Sequence, residues 1–161
     1  MYEKFGQFID GSWSPSSNKE TYEVINPATE EVLGHASKAT PEDVDRALKS
    51  AEKGLAVWKK ITPWERSYIL RRIADKLREK KDVLAKWMTL ENGKPLAEGV
   101  GETNGAADIF EWNAEETKRI FGQTIESRFE DTRVHVYYQP VGVVAALSPW
   151  NFPLILAARK I

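Results

Sequence analysis

The feature that most limits what this chain can fold into is the run Val141-Gly-Val-Val-Ala-Ala-Leu147. No polar side chain interrupts it, so it has no face to turn toward water. Such a run suits a strand buried on both faces, as in a parallel sheet under helices. Ser148-Pro149-Trp150-Asn151-Phe152 follows as a loop, and the fixed φ of Pro153 suits the first turn of a helix. Leu154 to Ile161 would be that helix. Strand, loop and helix make one βα unit of a doubly wound fold. A parallel sheet needs several such units, and the 161 residues end inside the first. The expected class is α/β, incomplete.

Ahead of the run the chain reads as short strands, then helices, then a hairpin. Phe8-Ile9 and Trp13 flank Asp10-Gly11, a tight-turn pair. Tyr22-Glu-Val-Ile25 alternates and runs into the turn signal Asn26-Pro27, with Val32-Leu33 placed to return beside it. Thr40-Pro41-Glu42-Asp43 and Thr62-Pro63-Trp64-Glu65 each set a capping hydroxyl before proline and a carboxylate three residues after the cap. Both predict helix starts. Val44, Ala47, Leu48, Ala51 and Leu55 mark one face of the first helix; Ile69, Leu70, Ile73 and Leu77 mark one face of the second. Val83, Leu84, Trp87 and Met88 form a third stripe, which stops near Asn92-Gly93, a C-cap. A long helix from Pro95 to about Phe121 carries Leu96, Val100, Ala107, Phe110 and Ala114, and Gly122 ends it. Thr124 to Phe129 and Arg133 to Tyr138 then predict two strands joined by Glu130-Asp131-Thr132. Val134, Val136 and Tyr138 share one face, Arg133, His135 and Tyr137 the other.

Charge and cysteine content narrow the function. With 23 basic and 24 acidic residues the formal charge is -1, and no Lys/Arg block offers a nucleic-acid face. The short clusters Arg71-Arg72 and Lys80-Lys81 read as solvated helix faces. There is no cysteine, which excludes disulfides, thiolate-ligated metal and a thiol nucleophile within these residues. His35 and His135 lie far apart, so no metal site is expected. The opening Met1-Tyr-Glu-Lys-Phe-Gly has no cationic stretch followed by an apolar one, and no apolar run approaches roughly 20 residues. Neither a secretory signal nor a membrane span is expected, and a cytoplasmic protein is the simplest reading.

Chemistry belongs where strands of an α/β sheet end, which here is the loop Leu147 to Phe152. Trp150 offers a flat apolar surface. Asn151 offers an amide donor near a helix start, able to stabilise a forming oxyanion. Spacing alone favours a plainer role, in which Asn151 caps the helix after Pro153 and Trp150 is core. Gly99-Val-Gly101-Glu-Thr-Asn-Gly105 is no dinucleotide loop: its spacing is G-x-G-x-x-x-G, no strand precedes it, and it sits in a helical pattern. Glu91, Glu98, Glu102, Glu111, Glu115 and Glu116 read as the polar side of helices.

Ser148-Pro-Trp-Asn-Phe-Pro153, preceded by Gln139-Pro-Val-Gly-Val-Val-Ala-Ala146, resembles the P-W-N-F-P segment of the aldehyde dehydrogenase superfamily. Phe8-Ile-Asp-Gly-Ser-Trp13, Asn26-Pro-Ala-Thr29, Thr89-Leu-Glu-Asn-Gly-Lys94 and Gly122-Gln-Thr-Ile125 fall in the same order as in that family. Met88–Glu98 and Glu111–Gly122 most resemble succinate-semialdehyde dehydrogenases, although Asn113 departs from a Phe often seen in that branch. The resemblance implies oxidation of a small-molecule aldehyde to a carboxylate or an acyl thioester, with NAD or NADP as hydride acceptor. A cysteine thiolate attacks the carbonyl, and a glutamate then activates water. By the same resemblance Asn151 holds the thiohemiacetal oxyanion, Leu147, Ser148, Pro149 and Trp150 line the cofactor cleft, and Phe152 lines the aldehyde tunnel. Arg159 stands where many relatives acting on apolar aldehydes carry Trp. There a guanidinium would pair with a distal carboxylate.

The resemblance divides the chain into strands and helices of the cofactor-binding domain over 1–122, an oligomerisation hairpin over 123–140, and the first strand-loop-helix of a Rossmann-like core over 141–161. A homo-oligomer, dimer or tetramer, is implied for the full-length protein. The family's cysteine and glutamate fall beyond residue 161, so this chain by itself is expected to be inactive. The competing expectation is a non-catalytic module that acts through its hairpin.

Overall fold

The computed structural model describes residues 6–161. The opening residues 1–5, read above as part of a segment without a secretory signal, lie outside the described residues. Strands β1 (Gln7–Ile9) and β2 (Ser12–Ser14) form the first antiparallel hairpin. Its two-residue loop has Asp10 at φ 54° and Gly11 at φ 76°, the left-handed pair that lets a hairpin follow the strand twist. Phe8 pairs across it with Trp13, ring centroids 5.1 Å apart. Strands β3 (Thr21–Ile25) and β4 (Val32–Ser37) pair antiparallel around the Asn26-Pro27 turn, where the Asn26 side chain accepts the Ala28 N–H at 3.0 Å.

Both predicted capping boxes form. They open α1 (Pro41–Trp58) at Thr40 and α2 (Pro63–Glu79) at Thr62. The carboxylate of the first, Asp43, is buried and also accepts the Ser17 backbone N–H, so one residue caps α1 and ties down the strand region. The Thr40 backbone N–H holds its pKa down, from an ordinary 3.8 to about 2, against the opposing effect of burial and with help from Ser17. The stripe expected on α1 is not covered among the described residues: Val44 and Leu48 stand exposed. Helix α3 (Lys81–Asn92) stops at Gly93, whose φ of 78° puts it in the left-handed cap conformation.

Helix α4 (Leu96–Glu116) is the centre of the molecule, packed against α2, α3 and the short α5 (Pro153–Ala158). Its α-helical part ends five residues before the predicted Phe121, and a 3-10 turn, Thr117–Arg119, follows. The core is built on Ala74, Ala106, Ala107, Phe110 and Ala158. Small side chains let the helix axes approach closely. Gly99 and Gly105 of the G-x-G-x-x-x-G stretch serve this packing, whereas Gly101 faces open space. A Cβ on Gly99 would lie 3.0 Å from the Ala85 backbone, and one on Gly105 would meet Ile155 at 2.9 Å. Arg71 is not merely solvated, and Arg78 on the same helix is engaged as well. Arg71 pairs with Glu115, and Arg78 with Asp108 at 2.8 Å and Glu111 at 2.6 Å, which bolts α2 to α4.

Strands β5 (Gln123–Glu126) and β6 (Arg133–Val136) form the third hairpin, shorter than predicted and joined by a longer loop that sets Glu126 opposite Arg133, with Phe129, Tyr137 and Tyr138 exposed outside the ladder. The largest departure from expectation is the run 141–147, which is not a strand. A strand exists through hydrogen bonds to a neighbour, and among the described residues none lies beside this run. Its side chains therefore stand in solvent, with Val141 at 92% and Leu147 at 81% exposure. Helix α5 is also shorter than the predicted span to Ile161. The described fold is thus helices with three small antiparallel hairpins, and no parallel sheet appears among the described residues. Nor is any helix among them long and apolar enough to cross a membrane.

Candidate active site

The loop between the apolar run and α5 is held from below by the α3–α4 junction. Asn92, the last residue of α3, donates from its side-chain amide to the Trp150 carbonyl at 3.3 Å, and its Oδ1 accepts the Lys94 N–H at 3.0 Å. Lys94 turns its ammonium inward. Its Nζ donates to the Asn151 carbonyl at 2.7 Å and to Glu102 Oε2, and it lies 4.4 Å from the Phe152 ring centroid. Glu102 Oε1 accepts the backbone N–H groups of Leu154 at 2.8 Å and Ile155 at 3.2 Å. A carboxylate from α4 thereby satisfies two of the orphan donors that open α5. Lys94 and Glu102 are both buried, with side-chain exposures of 8% and 0%.

These contacts correct two sequence readings. Glu102 does not belong to the polar side of its helix; it is a buried residue on the packed face. Asn151 does not cap α5 with its side chain, because the N-cap residue is Phe152, no side-chain cap bond is made, and Glu102 fills that role. The Asn151 residue is exposed, and its amide has no hydrogen-bond partner among the described residues. Trp150, expected as core on the plainer reading, is 78% exposed. Leu147, Ser148, Pro149 and Trp150 form one continuous exposed stretch leading into Asn151. Phe152 is 43% exposed.

Arg159 follows α5 as its C-cap residue. It borders a hollow of about 340 Å³ shared with Arg66, Leu70, Phe110, Asn113 and Glu116. No carboxylate pairs with its guanidinium among the described residues. Arg66, by contrast, is engaged: it donates to the Trp58 carbonyl at 3.1 Å and lies over the Trp58 ring. The structure therefore brings Leu147–Phe152 together as one loop and sets Arg159 at the far end of the helix that the loop opens. Among the described residues, no three His, Cys, Asp or Glu side chains gather as a metal site would require.

Residues 13–161 match the aldehyde dehydrogenase family. A glutarate-semialdehyde dehydrogenase of Pseudomonas aeruginosa is 45% identical over 153 residues, covering 95% of this chain and 32% of that protein. An NADP(+) succinate-semialdehyde dehydrogenase of Escherichia coli is 44% identical over 152 residues, covering 94% of this chain and 32% of its own. A crystal structure of betaine aldehyde dehydrogenase from Staphylococcus aureus, in complex with NAD+, superposes with a TM-score of 0.88 at 37% identity, over 95% of this chain and 31% of that one. The chain spans about a third of the length of the relatives it matches.

Proposed function

The chain belongs to the aldehyde dehydrogenase family, and from that premise we propose that it is the front of an NAD(P)-dependent enzyme oxidising a short aldehyde with a distal carboxylate, succinate semialdehyde being the substrate. Asn151 donates its side-chain amide to the oxyanion that forms when the aldehyde carbonyl is attacked. Such a donor acts on charge that develops only in the transition state, so it accelerates the step without tightening ground-state binding. Leu147, Ser148, Pro149 and Trp150 line the cleft for NAD or NADP. Exposed Leu147 and Trp150 fit that task, since both offer apolar surface beside a backbone that Asn92 holds in place. When bound, the nicotinamide supplies the hydride acceptor. Phe152 lines the aldehyde path, and Arg159 receives the distal carboxylate. The thiol nucleophile comes from outside residues 1–161, which hold no cysteine, so this segment alone does not turn over.

The hairpin β5–β6 is the oligomerisation arm of this reading, in a homodimer or homotetramer. Two strands alone are marginal in water, and this pair leaves Phe129, Tyr137 and Tyr138 exposed. The segments 1–122, 123–140 and 141–161 are then cofactor-domain layer, arm and first unit of the Rossmann-like core. Residues 141–147 become a strand on pairing with sheet outside this segment.

One observation carries the substrate assignment: among the described residues Arg159 is a cation without a carboxylate partner, at the edge of a hollow and one short helix away from Asn151. A charge-assisted hydrogen bond is typically worth ~1.5–3 kcal/mol, or ~10–150-fold in kcat/KM. Arg159→Leu in the whole protein should lower kcat/KM for succinate semialdehyde by that factor while sparing butanal. Equal loss on both aldehydes would make Arg159 a structural residue and remove the preference for a distal carboxylate.

A further inference from the structure

The buried pair Lys94–Glu102 has no obvious reason to exist as a stabilising device. Two charges taken out of water recover little net stability from each other, and an apolar pair of similar volume usually does as well. Opening a six-residue helix such as α5 needs no ion pair either, since a neutral side chain caps a helix. What distinguishes this pair is where its hydrogen bonds go. Apart from the bond that joins the two residues, all three run to the backbone on either side of Phe152: the Asn151 carbonyl from Lys94, and the Leu154 and Ile155 N–H groups from Glu102. Asn92 adds a fourth hold at the Trp150 carbonyl.

We infer that Lys94 and Glu102 are positioning residues, a buried brace that fixes the Asn151 backbone so that its unpartnered amide is aimed before the aldehyde arrives. With Trp150, Asn151, Leu154 and Ile155 each tied through the main chain, Asn151 keeps two side-chain torsions and little else. Both charges are needed. Lys94 alone would be an uncompensated buried cation, and Glu102 alone would hold α5 while leaving the Asn151 carbonyl free. The pair also couples the two elements that carry the site, because Lys94 lies in the α3–α4 connection and Glu102 two turns into α4. An oxyanion donor displaced by an ångström forfeits much of its effect. The brace thus acts on turnover, through Asn151, and not on binding. This inference rests on the oxyanion role proposed for Asn151.

The test is a double-mutant cycle in the whole protein, with succinate semialdehyde and NADP. Glu102→Gln keeps an acceptor for Leu154 and Ile155 but removes the charge that holds Lys94. Its kcat should fall about 10–100-fold, with the aldehyde KM and the NADP dissociation constant each moving less than about threefold. In an Asn151→Ala background the same substitution should add less than about threefold, because the residue it positions is already gone. Should Glu102→Gln fail to fold, the apolar pair Lys94→Met/Glu102→Leu enters the same cycle with the same expectation. Full multiplication of the two effects, or an unchanged kcat in a folded brace variant, overturns the positioning role while leaving Asn151 its own. An Asn151→Ala protein that turns over at the wild-type rate gives a different pattern, and removes the oxyanion role and the brace together.

Discussion

The core around α4 and the segment 123–150 obey opposite rules. In that core, polar and apolar demands are met inside the chain, although Trp64, Tyr68 and Trp112 stand exposed elsewhere on the helices. Ala106 and Ala107 are fully buried, Thr103 donates to the Gly99 carbonyl at 2.9 Å, Arg78 bridges to α4, and the buried Lys94 has Glu102 beside it. In 123–150 the same chain sets apolar groups in water: Tyr137, Val141, Leu147 and Trp150 are each more than three-quarters exposed. The difference is one of address. The first region is centred on contacts that the chain supplies to itself; the second finds few such contacts among residues 6–161. The loop carrying Asn151 sits on the boundary, its backbone held by the first region and its side chains facing out of the second.

The largest expected effect is at Lys94. Removing one partner of a buried ion pair typically costs ~3–5 kcal/mol. Lys94→Met should lower the urea midpoint of the 161-residue chain accordingly, followed by far-ultraviolet circular dichroism. A change under about 1 kcal/mol would mean that Glu102 reaches water and that the pair is not buried in solution.

A smaller effect is expected where α3 and α4 touch. Gly99→Val forces a side chain against Ala85, 3.0 Å from where its Cβ must go, and overpacking of this kind typically costs ~1–3 kcal/mol. Its counterpart in the other region, Val144→Thr, should stay within ~0.5 kcal/mol, because Val144 is 62% exposed. Equal losses at the two sites would erase the distinction between the regions.

The smallest effect is a pH dependence at α1. The Thr40 N–H holds the Asp43 carboxyl at about 2 in the folded chain, against its ordinary 3.8. A depressed carboxylate contributes stability that is fully present above 3.8 and is lost as pH falls through about 2. Asp43→Asn should therefore be less stable than wild type at neutral pH, with the gap closing between pH 4 and 2. A gap that persists unchanged at pH 2 would assign the loss to altered packing at Ser17 and Thr40, not to charge.

The same division explains what could be read from the amino acids. Tight turns and helix caps with their own signals declare themselves locally, although the ends of α4 and α5 did not. Asp10-Gly11, the two T-P-x-[DE] starts and Gly93 each contain within a few residues everything their geometry needs, and each forms as expected. The run 141–147 has the right composition for a strand, but pairing is not a local property, and no neighbour among the described residues supplies it. The position of Asn151 was legible from the P-W-N-F-P resemblance; the residues that hold its backbone were not. Lys94 and Glu102 are eight residues apart across a helix start, outside the i,i+3 and i,i+4 spacings that reveal helical pairs. One signal was available. Glu102 falls on the stripe Gly99, Thr103, Ala106, Phe110, and a carboxylate on a face of small and apolar residues is buried and must have a partner.

On the function proposed here, Asn151 is a donor whose backbone is held by the chain's own residues and whose amide serves a reaction completed elsewhere. Its most direct test is the rate of acylation in the whole protein with Asn151→Ala, measured as the NADPH burst with succinate semialdehyde alongside the NADP dissociation constant. Loss of one oxyanion donor typically slows the step by ~10²–10³. A fall of that size is expected, with cofactor affinity unchanged. A burst rate within about threefold of wild type would contradict it, and would leave Asn151 as an ordinary residue of an exposed loop.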